Sequence, residues 1–436
     1  MKVLIISHNP ISTYHNMGKT LLTLFHSFKK EELCQFYIYP TFPDVDKCES
    51  SFRITDKDVV RNLFARSFGT EITDKDIDAT HDYYSEVISN KNLYQTSKNK
   101  RPYRNLLRDF MWKMSHWYNK KLAAWLKKEK PTVIFIAPGM SKFIYNVAIK
   151  ISKKHNIPIV AYICDDYYHL ESDKQFGRKY QLYILRKKIK QLFNKSSLII
   201  TISDSQNGLY STEFNRPCLT IMTGSSVSIS DNIKNRDTIG TITYMGNISC
   251  NRFKSLCDIG IILNEINKEQ GTKYSLKVYT SEQNQDILNE LKLNGTIEVN
   301  SFVTGEKYKE VFYSAEMLLH VEAFDDESIN RVKYSVSTKI ADSLGSGICL
   351  FAYGPSSVAS MQHLIDNDCA ICATSRDELK AKLLLAFNNK EERERVAHNG
   401  LVAAHNFHDS ELNSKILYDN LKRVSESVIG ESFTGK

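Results

Sequence analysis

Long apolar runs are missing from this chain. No stretch of its 436 residues reaches the ~18 consecutive apolar side chains of a bilayer-spanning helix. The opening MKVLIISHNP has one Lys and four apolar residues in a row, too little for a secretory signal. A cysteine framework is also lacking. The nine cysteines are odd in number and scattered, which argues against a disulfide-stapled secreted domain and for reduced thiols in a cytoplasmic setting. One pair, Cys369 and Cys372, has CxxC spacing. On a strand, side chains three apart face opposite ways, so structural thiols are expected there rather than a metal or redox pair. A strong charge excess is absent too. The net charge of +8 is modest for this length and does not itself call for nucleic acid, and no nucleic-acid partner is expected.

What the chain does contain is length and repetition. Four hundred and thirty-six residues exceed one ordinary core, so two domains are expected. Short continuous apolar runs alternate with amphipathic segments. In the first half the runs are Val3–Ser7, Val133–Ala137, Ile157–Cys164 and Leu198–Ile202. Helical periods fall at Lys19–Phe28 and Lys142–Lys154, and a helix start at Ser203-Asp204-Ser205. Runs without alternation indicate parallel strands covered on both faces, hence a doubly wound α/β sheet. Periodicity weakens in the Ser-, Gly-, Asn- and Asp-rich stretch Thr223–Gly240, then restarts with Thr241–Met245 and continues to the end. The expected organisation is an N-terminal domain over 1–225, a linker over 226–240 and a C-terminal domain over 241–410. A last helix, 411–436, would return to the first domain. Residues of about 45–130 are expected to form a mainly helical, basic insertion.

Within that insertion Lys98–Lys130 carries eleven Lys and Arg against two acids, with Tyr103, Phe110, Trp112, Trp117, Tyr118 and Trp125 interleaved. Basic residues with aromatics suit an anionic membrane surface. A solvated helix pair with its aromatics turned inward fits the same composition.

The segment YSVSTKIADSLGSGICLFAYGP, Tyr334–Pro355, is the densest in chemistry. Ser337 or Thr338 is a good N-cap, which places Lys339 in the first turn of a helix beside free backbone N–H groups, where phosphate binds. Asp342 follows three residues on, on the same face and roughly 5–6 Å from Lys339. A cation with amides, then a carboxylate one turn deeper, matches the order of a diphosphate and a ribose diol. Gly345 and Gly347 would end the helix before the strand Ile348–Tyr353.

Three stretches in order, ITYMGNISCNRFKSL, VNSFVTGEKYKEVFYSAEMLLHVEAF and STKIADSLGSGICLFAYGP, resemble the GT-B glycosyltransferases. More narrowly they resemble the retaining, glycogen-synthase-like group 1 family. The resemblance spans most of the chain and is firmest from about Ile242 to Asn389. It implies a GT-B fold, two Rossmann-like domains facing across a cleft, and transfer of a sugar, UDP-linked, to a glycan or lipid-linked acceptor in bacterial-type surface polysaccharide synthesis. It also implies roles. Asp342 stands where the family holds ribose, and Ser337, Thr338 and Lys339 face diphosphate or sugar. Arg252, six residues after Gly246, or else Lys254, would clamp the diphosphate. The turn at Phe302 and Val303 would meet the base. Early in the chain His15, Asn16 and Gly18 are implied at the site, the first two toward the acceptor. Asp165 or Asp166, after the Ile157 run, would orient the acceptor or cap the following segment. The family's first acid of a Glu-x7-Glu pair is replaced by Tyr334, and Glu322 is off its spacing.

The implied mechanism is front-face transfer with retention, the leaving diphosphate taking the acceptor's proton. The protein positions both substrates and stabilises the diphosphate. No cofactor or metal is expected. The triplets Asp44/Asp46, Asp76/Asp78 and Asp366/Asp368 resemble metal-holding pairs of GT-A enzymes, but a GT-A domain leaves two α/β halves unexplained. Gly18-Lys19-Thr20 after a strand resembles a P-loop NTPase. The full P-loop pattern needs Gly where Thr13 stands. A catalytically silent GT-B binding module is the remaining alternative.

Overall fold

The computed structural model describes residues 1–13, 16–62, 65, 67–72, 102–171, 176–234, 236–293 and 295–434. The chain forms two compact units, Met1–Ile221 with Ser410–Lys436, and Met222–Asp409.

The first unit is built on strands β1 (Val3–Ser7), β2 (Leu33–Tyr37), β3 (Ser50–Arg53), β4 (Thr70–Ile72), β5 (Val133–Ala137), β6 (Ile159–Ile163), β7 (Ser196–Thr201) and β8 (Cys218–Thr220). They form one sheet in the order β4-β3-β2-β1-β5-β6-β7-β8. Every pairing is parallel except β3 with β4. The helices between are α1 (Asn16–Leu24), α2 (Asp56–Arg61), α3 (Pro102–Met114), α4 (Lys120–Glu129), α5 (Lys142–His155), α6 (Phe176–Phe193) and α7 (Asp204–Phe214). Strands β1, β5 and β6 are buried along their whole length, as their unbroken apolar runs require.

Strands β3 and β4 lie where a mainly helical region was expected, and β2 beside them was not read from the sequence either. They are short, and polar residues break their apolar pattern. Gln35 in β2 is buried because both ends of its amide are satisfied: Oε1 accepts from Ile11 N–H at 3.1 Å and Nε2 donates to Ser51 Oγ at 2.9 Å. The aromatics of the basic stretch also turn inward for the most part. Trp112 stacks on Phe143 at 4.1 Å, Trp125 donates to Ser50 Oγ at 2.8 Å, and Trp117 is buried. Phe110 is exposed.

The second unit has strands β9 (Thr241–Met245), β10 (Ser275–Thr280), β11 (Ile297–Ser301), β12 (Met317–Val321), β13 (Leu350–Tyr353) and β14 (Ile371–Ala373), ordered β11-β10-β9-β12-β13-β14 and all parallel. Its helices are α8 (Arg252–Gln270), α9 (Gln285–Lys292), α10 (Gly305–Ser314), α11 (Asp326–Val332), α12 (Thr338–Gly345), α13 (Ala359–Asp366), α14 (Arg376–Asn388) and α15 (Lys390–Phe407). Residues 226–240, read from the sequence as a linker, run along this unit. Ser230 N–H donates to Gly345 O and Lys234 N–H to Gly347 O, both at 2.7 Å. Gly347 has φ +73°, and a Cβ there would lie 2.3 Å from Asn232 O. Cys369 is buried with its thiol against Leu364 O, and Cys372 lies in β14; both are free thiols.

A last helix, α16 (Ser410–Thr434), belongs to the first unit. Ser414 Oγ accepts from Ser27 N–H at 2.9 Å, Tyr418 packs edge-on to Phe28, and its hydroxyl donates to Glu32 at 3.0 Å.

Candidate active site

In a doubly wound sheet the order reverses between the first strand and the strand that starts the second half, and the loops leaving those two strands open a crevice. In the second unit these are β9 and β12. Gly246 leaves β9, Glu322 leaves β12, and α12 presents its N-terminus beside them.

Lys339, the second residue of α12, lays its ammonium over Gly246: a Cβ on that glycine would lie 2.6 Å from Lys339 Nζ. No acceptor or ion-pair partner for the ammonium exists among the described residues. Desolvation and then the Arg252 charge push its pKa below the ordinary lysine value, with Asp342 and Glu322 opposing. Two cations therefore sit close together at a helix start whose first-turn amides have no intrahelical carbonyl to bond. Ser337 makes no side-chain cap bond, and its own N–H goes to Ser360 Oγ. Thr338 is exposed. Phosphate oxygens would complete such an arrangement.

Arg252 opens α8 and is fixed from below. Its Nε donates to Glu322 Oε2 at 2.9 Å and to Val321 O at 3.2 Å, and Nη2 donates to Glu322 Oε1 at 3.0 Å. Burial raises the Glu322 carboxyl, and Arg252 and Lys339 pull it back. Ser255 Oγ donates to Glu322 O at 2.7 Å, fastening that carboxylate's backbone to α8. His320, on β12, lies with Nε2 3.4 Å from Glu322 Oε1 and is buried; desolvation and the two nearby cations push its pKa down to about 3, so it is neutral. The bidentate carboxylate holds the guanidinium rigid. Lys254, the alternative clamp, is exposed on α8.

Asp342 lies one turn beyond Lys339 and is buried. Its carboxylate is occupied by the segment before residue 240. Ser226 N–H donates at 2.7 Å, Ser226 Oγ reaches both oxygens at 3.0 and 2.9 Å, and Ser225 Oγ donates at 3.2 Å. Two hydroxyls on one carboxylate is an arrangement that a vicinal diol could also supply. Tyr308 of α10 is close enough for Asp342 to raise its hydroxyl's pKa further, after burial. The β11–α10 turn thus borders the same place. In that turn Phe302 is exposed and Val303 packs against the unit's core.

The first unit contributes separately. Gly18 lies inside α1, and a Cβ there would meet Ser12 Oγ at 2.2 Å and Pro10 O at 2.7 Å, so only glycine lets this helix start close on the loop after β1. Asn16 opens α1; His15 lies outside the described residues. Asp165 and Asp166 follow β6. Asp166 is filled by four groups: Tyr168 N–H, His169 N–H, Tyr210 hydroxyl at 2.7 Å and His169 Nδ1 at 2.8 Å. It caps the turn after β6. His169 Nε2 meets Glu213 at 2.7 Å, and the Asp166 bond raises the imidazole's pKa first, with Glu213 adding to it. Asp165 accepts from the Tyr167 hydroxyl at 2.8 Å and lines a recess with Pro138, Tyr145 and Tyr210.

Sequence reasoning had Gly246, Arg252, Lys339 and Asp342, and the fold brings all four to one strand edge. It set Glu322 aside on spacing. The signal was there, an acid directly after the buried strand MLLHV, but its pairing with Arg252 spans seventy residues. Nothing local announced Ser225 and Ser226.

Two doubly wound sheets, with an anion-ready helix start at the switch point of the second, are the class of architecture that suits a nucleotide ligand. Comparison with known proteins points the same way. Residues 261–415 match the family model described as glycosyl transferase-like. Among solved structures, Anabaena Alr3699/HepE in complex with UDP superposes with a TM-score of 0.61 at 10% identity, covering 97% of this chain and 100% of that one. An α,α-trehalose-phosphate synthase (UDP-forming) from Burkholderia xenovorans gives 0.56 at 9% identity, covering 97% and 100%. An α,α-trehalose 6-phosphate synthase from Burkholderia multivorans gives 0.60 at 9%, covering 100% and 98%. No curated protein matches the chain by sequence. The chain has the GT-B fold, and its residues 261–415 are similar to the glycosyl transferase-like family.

Proposed function

We propose that the enzyme transfers a hexosyl group from a UDP-linked donor to a glycan or lipid-linked acceptor in surface polysaccharide synthesis, with retention. The carrying observation is the unpartnered Lys339 ammonium over Gly246, beside Arg252 and one turn before Asp342. In this reading Lys339, Arg252 and the α12 amides take the diphosphate, Asp342 takes the ribose diol in exchange for Ser226, and Phe302 stacks on the base. HepE has been solved with UDP-glucose, which supports the choice of donor. Asp165, Asn16 and His15 are assigned toward the acceptor. The departing diphosphate accepts the acceptor's proton, so no metal or other cofactor enters. A peripheral position at an anionic membrane surface belongs to the same reading, since lipid-linked acceptors present their sugars there.

Calorimetric titration of UDP and of uridine tests the donor site. Lys339→Met is expected to weaken UDP about tenfold or more, the loss of a charge-assisted bond of ~1.5–3 kcal/mol, and to leave uridine nearly unchanged. EDTA should leave UDP affinity as it was. Absence of UDP binding by the wild type, or undiminished binding by Lys339→Met, overturns the assignment.

A further inference from the structure

Helix α3 is apolar on two sides. Its inward side carries Trp112, buried in the unit's core, with Met111 packed against that core, and it is tied down by polar contacts: Arg108 bonds Asp56 at 2.9 Å, Asp109 pairs with Lys142 at 2.5 Å, and Trp112 donates to Asp56 at 2.8 Å. Its outward side carries Leu106, Leu107, Phe110 and Met114, exposed by 37%, 55%, 57% and 50%, with Lys113 among them. An ordinary surface helix has a polar outward side. The buried Trp112 and the polar contacts around it fix the helix in this rotation, so the apolar ridge is held outward by the fold.

The ridge is not isolated. Helix α3 packs between α2 and α6. Of the fifteen large apolar side chains exposed in the described chain, seven lie on these three helices: the four above, Val60 on α2, and Tyr180 and Tyr183 on α6. Scattered single apolar residues are normal on a surface; a cluster marks an interface.

Charge says what the interface fits. The sequence of α6, FGRKYQLYILRKKIKQLF, holds six Lys and Arg and no acid. Arg186 is used internally, bonding the carbonyls of Tyr168 and Leu170. Lys113, Lys179, Lys187 and Lys190 form no ion pair among the described residues. Lys113 of the ridge and Lys187 lie close enough to Lys188 to act on its charge, which puts the cations of α6 beside the ridge of α3. Apolar and aromatic side chains flanked by uncompensated lysines match the boundary of an anionic bilayer, where rings and aliphatic chains enter and ammonium groups meet lipid phosphates. A protein groove would instead need acids of its own.

We infer that the α3–α6 face, made of Leu107, Phe110, Met114, Tyr180 and Tyr183 with Lys113, Lys187 and Lys190, is a docking surface for an anionic lipid bilayer. This deepens the peripheral part of the functional reading and is independent of the transfer chemistry. It also moves the contact from the basic stretch as a whole, whose tryptophans are in the core, to one helix face and its neighbour.

The test is sedimentation of the full chain with phosphatidylcholine vesicles with and without phosphatidylglycerol, in the absence of nucleotide. Binding is expected only with phosphatidylglycerol, strongest at low salt. Phe110→Ser/Met114→Ser and, separately, Lys187→Glu/Lys190→Glu should each weaken it about tenfold or more, with melting temperature by circular dichroism unchanged because these side chains are exposed. No binding by the wild type overturns the inference, as does binding undiminished from wild type in either variant. So does a concentration-dependent dimer in sedimentation velocity that Phe110→Ser/Met114→Ser abolishes, since the occupant would then be a second copy. Loss of UDP binding by Lys339→Met with vesicle binding intact, or the converse, separates the two proposals.

Discussion

Single side chains decide most of what the second unit can bind. Gly246 is small because Lys339 needs the space above it. Gly246→Ala is expected to push the ammonium aside and weaken UDP about tenfold with little change in melting temperature, read by titration and scanning fluorimetry. Glu322 has the opposite profile. It is buried under Arg252, so Glu322→Gln leaves an uncompensated guanidinium; breaking such a pair costs ~3–5 kcal/mol, and a large fall in the denaturation midpoint should follow. Ser226 competes for Asp342 in the unliganded chain. Ser226→Ala should therefore raise UDP affinity severalfold by removing the occupant that ribose must displace.

At the scale of elements, two histidine clasps respond to pH in opposite senses. In the second unit His363 Nε2 and His408 Nε2 are 3.0 Å apart, and His408 Nδ1 donates to Thr223 O at 2.9 Å. The tautomers follow: His408 carries its proton on Nδ1, so His363 must donate from Nε2. Burial pushes their pKa values down to about 4 and about 3. The unfolded chain takes up those protons first, so this stability is full above pH 6.5 and lost as pH falls toward the folded values, at up to ~1.4 kcal/mol per pH unit for each imidazole. In the first unit His169 lies between Asp166 and Glu213 and its pKa is raised. Its contribution is full below pH 6.5 and lost as pH rises through the raised value. Urea midpoints across this range for wild type, His363→Leu/His408→Leu and His169→Gln should separate them: the first variant flattens the acid limb, the second the alkaline limb.

On the scale of the whole molecule, the chain leaves the first unit at Ile221 and comes back to it at Ser410. The returning helix is part of that unit's core. Leu417 and Leu421 are fully buried, and each such side chain is worth ~1.5–3 kcal/mol. A chain ended at Asp409 should lose stability in the first unit, seen as a lower-temperature transition in calorimetry, while UDP binding by the second persists. Among the described residues no helix is long and apolar enough to cross a membrane.

The strands at the centres of both sheets were legible from sequence because burial on both faces demands unbroken apolar runs: Val3–Ser7, Val133–Ala137 and Thr241–Met245 stand where the pattern put them. So was the α12 start, since a cap, a Lys and an Asp at helical spacing are local facts. The edge strands β2 to β4 were not, because short strands with a Gln in the middle depend on partners for their hydrogen bonds. Neither was the outward ridge of α3. Leu107, Phe110 and Met114 share a helical period with any core face, and the burial of Trp112 with the ion pairs of Arg108 and Asp109 fixes which way it points. The residues that touch Asp342 and Arg252 come from one hundred and sixteen and seventy positions away. Sequence determined which groups could bind a nucleotide. Tertiary structure decided which of them stay free to do so, because occupancy of a carboxylate or a cation is settled by whatever the fold sets beside it.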